Sequence, residues 1–229
     1  MEIVRTQNPA HEAGRALTSA LLRHKEHPVL LMLSGGSAFE MLAHVDIEAL
    51  GPQLTLSVLD ERYSHDVRVN NYAQLTATPF FKICMERGAQ YISTEVTEET
   101  QEEVRVQWEV SLRVWKSVHQ DGVVLGTMGV GQDGHTAGIF PQISEVDFGG
   151  ESLVVAYTLP DGTHQYRERI TTTFTFLTEW VDEAIVYAVG EEKREVLMQL
   201  EKGTETREEM PACVFHEMRS VKLFTDIDT

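Results

Sequence analysis

The apolar positions of this chain fall into short unbroken runs that alternate with helical stretches. Ala13, Ala16, Leu17, Ala20 and Leu21 share one face of a predicted helix over residues 10–22, which Pro28 keeps from extending. Val29–Leu33 is continuously apolar, the pattern of a strand buried on both faces. A second helix is predicted over residues 38–50 and a second buried strand over residues 54–59. The long helix predicted over residues 97–119 carries Val104, Trp108, Leu112 and Trp115 on one stripe. Val106, Val110 and Val114 form another, so burial of more than one face is expected. Strands are read at residues 122–128, 153–157 and 184–189. A helix follows over residues 191–202, and residues 221–224 read as an edge strand. This alternation predicts an α/β fold, a doubly wound and mostly parallel sheet with helices on both faces.

Composition narrows the class. The 229 residues show no repeat, no low-complexity segment and no Pro/Gly/Ser linker, so one domain spanning 1–229 is expected. Hydrophobic residues at 42% and charged residues at 24% match a packed globular chain rather than a disordered one. A formal charge of −17 repels nucleic acid and anionic membrane at long range, so neither is expected as a partner. An anionic ligand would need a local cluster of cations and backbone N–H groups to overcome that field. Cys84 and Cys213 stand in no metal or redox spacing. Cys84, in the apolar run 80–85, reads as a small buried side chain, and a reducing compartment suits both. Residues 1–9 lack the apolar core of a signal peptide, and Val29–Leu33 is far too short to span a bilayer. A soluble cytoplasmic protein is the expectation.

Three polar loops each follow a predicted buried strand: Ser34-Gly35-Gly36-Ser37, the stretch from Asp60 to Asn71, and the stretch from Gly129 to Thr136. In an open parallel sheet, ligands bind beyond the carboxyl ends of the strands, so all three should face one crevice. Glycines in the first loop let the backbone approach an anion, and free N–H groups at a helix start bind phosphate; a tight turn with a serine cap reads as well. The third loop is more specific. His135 stands between Gly134 and Thr136, one turn from Asp133, in a setting poorly suited to a core. Its ordinary pKa of about 6.5 lets it accept and return a proton near neutrality. The other eight histidines lack such a setting. His24 and His27 have helical spacing, but Lys25 and Glu26 make a solvated helix end the better reading. Asp60-Glu61-Arg62 places three charges at a strand end, where Arg62 could meet an anion. Arg169, before Ile170-Thr171, and Lys193, after Gly190, are further candidate anion binders. No metal-ligand spacing is readable, and no cofactor is expected.

These residues together resemble the 6-phosphogluconolactonases. The resemblance rests above all on the stretch Gly131-Gln132-Asp133-Gly134-His135-Thr136-Ala137-Gly138-Ile139-Phe140-Pro141. Ser34-Gly35-Gly36-Ser37, Asp60-Glu61-Arg62 with Asn71-Tyr72, Arg169-Ile170-Thr171 and Gly190-Glu191-Glu192-Lys193 follow the family's order from Ser34 to about Lys202. The chain departs at Ala38-Phe39, Tyr63-Ser64-His65, Asn70 and Gly138. The resemblance implies a Rossmann-like fold and hydrolysis of a phosphorylated sugar lactone in the pentose phosphate pathway. It implies His135 as general base, Asp133 as the residue that orients His135 or the substrate hydroxyls, and Ser34, Gly35, Gly36, Ser37, Asp60, Arg62, Asn71, Arg169 and Lys193 as substrate contacts. A related family of amino-sugar-phosphate deaminases and isomerases carries Glu five residues after the equivalent His; here position 140 is Phe. A sugar-phosphate-sensing regulator would place a helix-turn-helix ahead of the sugar domain, and residues 1–28 are too few for one. A non-catalytic sugar-phosphate-binding module is the remaining alternative, which an activity assay separates.

Overall fold

The computed structural model of the chain describes residues 1–66 and 68–228. In chain order its elements are β1 (Glu2–Arg5), α1 (Pro9–Arg23), β2 (Val29–Leu33), β3 (Leu54–Val58), β4 (Asp60–Arg62), α2 (Asn71–Ala77), α3 (Pro79–Glu86), β5 (Gln90–Tyr91), α4 (Gln101–Val118), β6 (Val123–Gly129), β7 (Val154–Thr158), β8 (Glu168–Thr172), β9 (Glu183–Tyr187), α5 (Arg194–Lys202) and β10 (Val221–Thr225). Short 3-10 turns at Gly36–His44, Ile47–Ala49, Glu191–Lys193 and Pro211–His216 and a π turn at Phe176–Trp180 connect them.

Seven strands form one parallel sheet in the order β1-β10-β9-β6-β2-β3-β5, with helices on both faces. Every residue of β2 and β3 is buried, which is why β2 reads as an unbroken apolar run. The chain builds outward through β3 and β5 on one side, then returns to add β6, β9 and β10 on the other. The order therefore reverses between β2 and β6, and a crevice opens beyond their carboxyl ends.

A second, antiparallel sheet runs β4-β8-β7. Leu59 alone separates β3 from β4 and is bonded to both sheets. Its N–H donates to the Leu33 carbonyl at 2.9 Å, and its carbonyl accepts from the Thr172 N–H at 3.0 Å.

Several predicted elements change in the structure. Residues 36–49 form two 3-10 turns rather than one helix. Val45 and Asp46 are extended between them, and the Asp46 side chain takes the Glu48 N–H at 2.9 Å, a local bond that competes with helix. The predicted strand at 153–157 is β7, in the second sheet. Residues 221–225 are not an edge, because β1 pairs outside them. The predicted helix 191–202 opens as a 3-10 turn before α5. The predicted helix 97–119 starts at Gln101, where Thr100 and Glu103 form a reciprocal capping box.

The α4 helix buries one face only. Val104, Trp108, Leu112 and Trp115 are buried, and the two indole N–H groups donate to Ser57 Oγ and Thr55 Oγ1, both at 3.1 Å. Val106, Val110 and Val114 are 41%, 54% and 53% exposed, so the expected second buried face is absent. A helical period alone does not distinguish an apolar outer stripe from a buried one.

This one-sided burial gives a stability prediction. Trp108→Ala should destabilise by about 3–5 kcal/mol, the usual range for deleting a buried aromatic ring. Val110→Ala should stay within about 0.5 kcal/mol. Denaturant unfolding of both variants checks it; equal losses would mean that the outer stripe is covered in solution.

Candidate active site

The three polar loops converge on one crevice of about 310 Å³ beyond β2 and β6. Its wall includes Ser34, Gly35, Gly36, Ser37, Asp60, Arg62, Asn71, His135, Arg169 and Lys193. Every candidate residue named from the sequence thus reaches this wall except Asp133, which lies behind His135 and bonds to it. Phe140 and His164 also line the crevice. Neither is among the residues expected from the sequence to contact substrate, and His164 contradicts the expectation that no histidine besides His135 has a site-like setting. Its signal was the turn-forming Pro160-Asp161-Gly162 just before it and Arg169 just after.

The loop from Gly131 to Phe140 is held through its backbone carbonyls, by bonds from within the loop and from outside it. The Gly131 N–H donates to the His135 carbonyl at 2.8 Å, and the Ala212 N–H donates to the Gly134 carbonyl at 2.9 Å. The Tyr157 hydroxyl donates to the Gly138 carbonyl at 2.5 Å, and the Thr171 hydroxyl donates to the Ala137 carbonyl. Ala137 has a φ of +48°, a conformation that costs a residue with a Cβ on the order of 1 kcal/mol and persists because its surroundings fix it. Gly131 admits no side chain, since a Cβ there would lie 2.0 Å from His135 Nδ1.

His135 and Asp133 form a close pair. Nδ1 of His135 lies 2.5 Å from Asp133 Oδ1, and the same oxygen accepts the His135 backbone N–H at 3.1 Å. Burial would raise the Asp133 pKa, but the hydrogen bond and charge of the His135 ring outweigh it and hold the carboxyl at about 2. An ionised carboxylate only accepts hydrogen bonds, so Nδ1 carries the proton. Nε2 is then the basic nitrogen of the neutral ring. The ring stacks on Phe140 with centroids 4.4 Å apart and planes 24° apart.

The cations come from two directions. Arg62 and Arg169 are direct partners across the antiparallel β4–β8 pair, so both side chains leave the same face. Arg169 is buried, and its Cζ lies 5.2 Å from the Phe140 centroid. Burial lowers its pKa, opposed by Asp60 and reinforced by Arg62. Gln101 of α4 donates to the Arg169 carbonyl at 3.0 Å and fixes the strand there. Lys193 enters from the turn after β9 and donates to the Val130 carbonyl; burial lowers its pKa too. Among the described residues, none of these three cations is ion-paired with a carboxylate. Glu168 and Glu192, their sequence neighbours, do not take them. Four buried polar atoms of the crevice residues also lack a hydrogen-bond partner: Ser34 Oγ, Arg62 Nε, Asn71 Oδ1 and Arg169 Nε.

Glu61 anchors one wall and was read from the sequence only as part of a charge cluster. It is fully buried, and its carboxylate accepts N–H bonds from Arg62 at 2.8 Å, Asn71 at 2.6 Å and Tyr72 at 2.8 Å. The Thr94 hydroxyl adds a fourth bond at 3.1 Å. Burial pushes its pKa up to about 7, against the lowering effect of those backbone donors. Asn71 in turn donates to the Asp60 carbonyl at 2.9 Å and the Asp60 carboxylate at 3.2 Å. A Cβ on Gly35 would lie 2.1 Å from Asn71 Oδ1, so this wall closes only against glycine. Among the described residues, no cluster of His, Cys, Asp and Glu has the form of a metal site, and no helix is long and apolar enough to cross a membrane.

The fold class is a doubly wound α/β sheet, which binds ligands in the crevice at the strand-order reversal. Residues 5–224 match the family described as glucosamine-6-phosphate isomerases/6-phosphogluconolactonase. The chain belongs to that family. Solved structures of the same fold include 6-phosphogluconolactonase from Trypanosoma brucei, at 20% identity and a TM-score of 0.74, covering 98% of this chain and 95% of that one. The enzyme of that name from Plasmodium vivax aligns at 15% identity and a TM-score of 0.77, covering 99% and 89%. A monomeric glucosamine-6-phosphate deaminase aligns at 17% identity and a TM-score of 0.72, covering 98% and 97%. No curated protein sequence matches the chain.

The His135–Asp133 pair carries a pH signature. The folded-state pKa of Asp133, about 2, lies below its ordinary value of 3.8. The stability that the pair contributes is therefore present above about pH 4 and is lost as pH falls through about 2. Both side chains are partly exposed, so solvent screening keeps the effect small. Asp133→Asn should lose less stability than the wild type between pH 4 and pH 2.5 in urea unfolding. Parallel losses would show that the pair contributes nothing to folding.

Proposed function

We propose that this chain hydrolyses 6-phospho-D-glucono-1,5-lactone to 6-phosphogluconate, the lactonase activity of its family. The reading is carried by one juxtaposition: an Asp-oriented imidazole and three cations free of carboxylate partners share a crevice in a chain of net charge −17. Cations unpaired in so acidic a chain suit an anionic ligand, and the orphaned Arg62 and Arg169 Nε atoms suit a phosphate or a polar sugar.

In the proposed reaction Nε2 of His135 takes a proton from water as its oxygen attacks the lactone carbonyl carbon. The carbonyl becomes a tetrahedral oxyanion. When the carbonyl reforms, the bond from C1 to the ring oxygen breaks, and the His135 imidazolium returns its proton to that oxygen. The products are the carboxylic acid and a free hydroxyl. Asp133 stays ionised throughout, holding the tautomer and stabilising the imidazolium. Arg62, Arg169, Lys193 and the Ser34–Ser37 loop would hold the phosphate and the sugar, with Asp60 and Asn71 at the sugar hydroxyls. No step calls for a metal or an organic cofactor.

Phe140 weighs against amino-sugar-phosphate deamination. The related deaminases place Glu at this position, and here a phenyl ring packs against His135 with no group to exchange a proton. A non-catalytic binding role leaves the proton-taking geometry of His135 unexplained.

Acid release from freshly made 6-phosphogluconolactone tests this reading. His135→Ala should lower kcat by about 10²–10⁴-fold with a folded protein and little change in KM. Arg169→Ala and Lys193→Ala should instead raise KM, each by roughly ten- to hundredfold, since charge-assisted hydrogen bonds contribute about 1.5–3 kcal/mol. Near-wild-type turnover by His135→Ala would remove the general base. Equal efficiency on unphosphorylated gluconolactone would remove the phosphate site.

A further inference from the structure

The hairpin between β7 and β8 brings a second imidazole to the crevice, one that the proposed mechanism leaves unused. The hairpin turn is braced rather than loose. The Leu159 N–H donates to the Arg167 carbonyl at 3.0 Å, Arg167 Nε donates to the Leu159 carbonyl at 2.6 Å, and the Arg167 guanidinium pairs with Asp161. The Thr163 hydroxyl bonds the Pro160 carbonyl at 2.7 Å. This places His164 on the crevice wall, its ring centroid 4.3 Å from that of Phe140 and its plane tilted 57°. Phe140 thus packs against two imidazoles and offers a hydrogen bond to neither. His164 makes no hydrogen bond to any described residue, so both of its ring nitrogens are available to a ligand.

The charged groups around His164 set its state. Burial first, then the positive charge of Arg169, holds its pKa below the usual histidine value; Asp133 acts the other way, and the His135 ring adds a smaller lowering effect. The ring is therefore neutral at pH 7, with one N–H donor and one acceptor nitrogen. A phosphate dianion only accepts, and three cations already face the crevice. A sugar hydroxyl both donates and accepts, which matches a neutral imidazole.

We infer that His164 is a specificity-determining residue that hydrogen-bonds a hydroxyl of the bound sugar from the hairpin side of the crevice. The inference rests on the phosphorylated-lactone reading above. Phe140 sets the tilt of the His164 ring, and the braced turn sets its reach. Arg62, Arg169 and Lys193 keep the anion, so His164 reads the sugar and not the phosphate.

Steady-state kinetics on 6-phosphogluconolactone with four proteins tests this: wild type, His164→Ala, His164→Phe and His164→Gln. Thermal melts check that each variant folds. His164→Ala and His164→Phe should raise KM on the order of 5-fold with kcat within about 2-fold, the loss of one ordinary hydrogen bond. His164→Gln, which keeps a donor and an acceptor, should recover most of the wild-type KM. Inhibition by inorganic phosphate should be equal in all four. A wild-type KM in His164→Phe would show that the ring only packs on Phe140 and would overturn the inference. Weaker phosphate inhibition in His164→Ala would overturn it too, by making His164 an anion ligand. A wild type that does not turn over the phosphorylated lactone would instead sink the lactonase reading, and this inference with it.

Discussion

The reversal of strand order between β2 and β6 dictates where polar groups can gather in this molecule. Elsewhere along the sheet, a crossover leaves each strand and packs back over its neighbour. At β2 and β6 the crossovers leave in opposite directions, and the strand ends stand open between them. The Ser34 N–H donates to the Thr127 carbonyl at 2.9 Å, which ties the two strand ends together as the chain leaves β2. Loops that begin here have no apolar layer above them, so serine, glycine, histidine and arginine accumulate without being forced into the core. The long-range field of an acidic chain then works against any anion that approaches. Only cations free of carboxylate partners, set at short range in a partly desolvated crevice, reverse it locally.

One of those cations, Arg62, rests on a carboxylate that its guanidinium does not pair with. Glu61 fastens the backbone at Arg62, Asn71 and Tyr72 and takes a hydroxyl from Thr94, so strand, helix start and loop converge on one buried group. Removing its side chain would leave several buried donors unsatisfied at once. The Arg62 side chain is free to face the crevice because its backbone is fixed from behind. Asn70 works in the same region: its amide donates to the Arg62 carbonyl at 2.8 Å and the Ser64 carbonyl at 2.9 Å, closing the loop that follows β4.

The parallel sheet was legible because β2 and β3 are apolar without interruption and the loops after the buried strands carry the charges. The convergence of those loops follows from where ligands bind in a parallel sheet, so the part of the crevice wall that they form could be named in advance. The second sheet was not legible in the same way. Its strands are short, and β8 carries Arg169 and two consecutive threonines, so no two-residue alternation marks them. Their pairing is set by Leu59, whose bonds to Leu33 and Thr172 join segments far apart in the chain. β1 has four residues, none of them buried, and it exists as a strand only because β10 offers it a partner. The Val106, Val110 and Val114 stripe misled because local period carries no information about what lies opposite. Phe140 and His164 escaped for a related reason: each acquires its setting from the other, across a hairpin that the local pattern does not predict.

The single-residue link at Leu59 has a consequence for how this chain can vary in length. Alternate residues of a strand face opposite sides, so moving β4 by one position would turn Arg62 away from the crevice and expose Glu61 in its place. Such a slip would also part Arg62 from Arg169, its register partner on β8. An insertion or deletion at Leu59 would impose that slip directly, since no slack lies between the two sheets. The stretch between Arg62 and Asn71 is different, because side-chain bonds from Asn70 rather than strand pairing close it. Extra residues can bulge outward there while both ends stay anchored. Relatives of this chain should thus differ in length after β4 and agree to the residue before it.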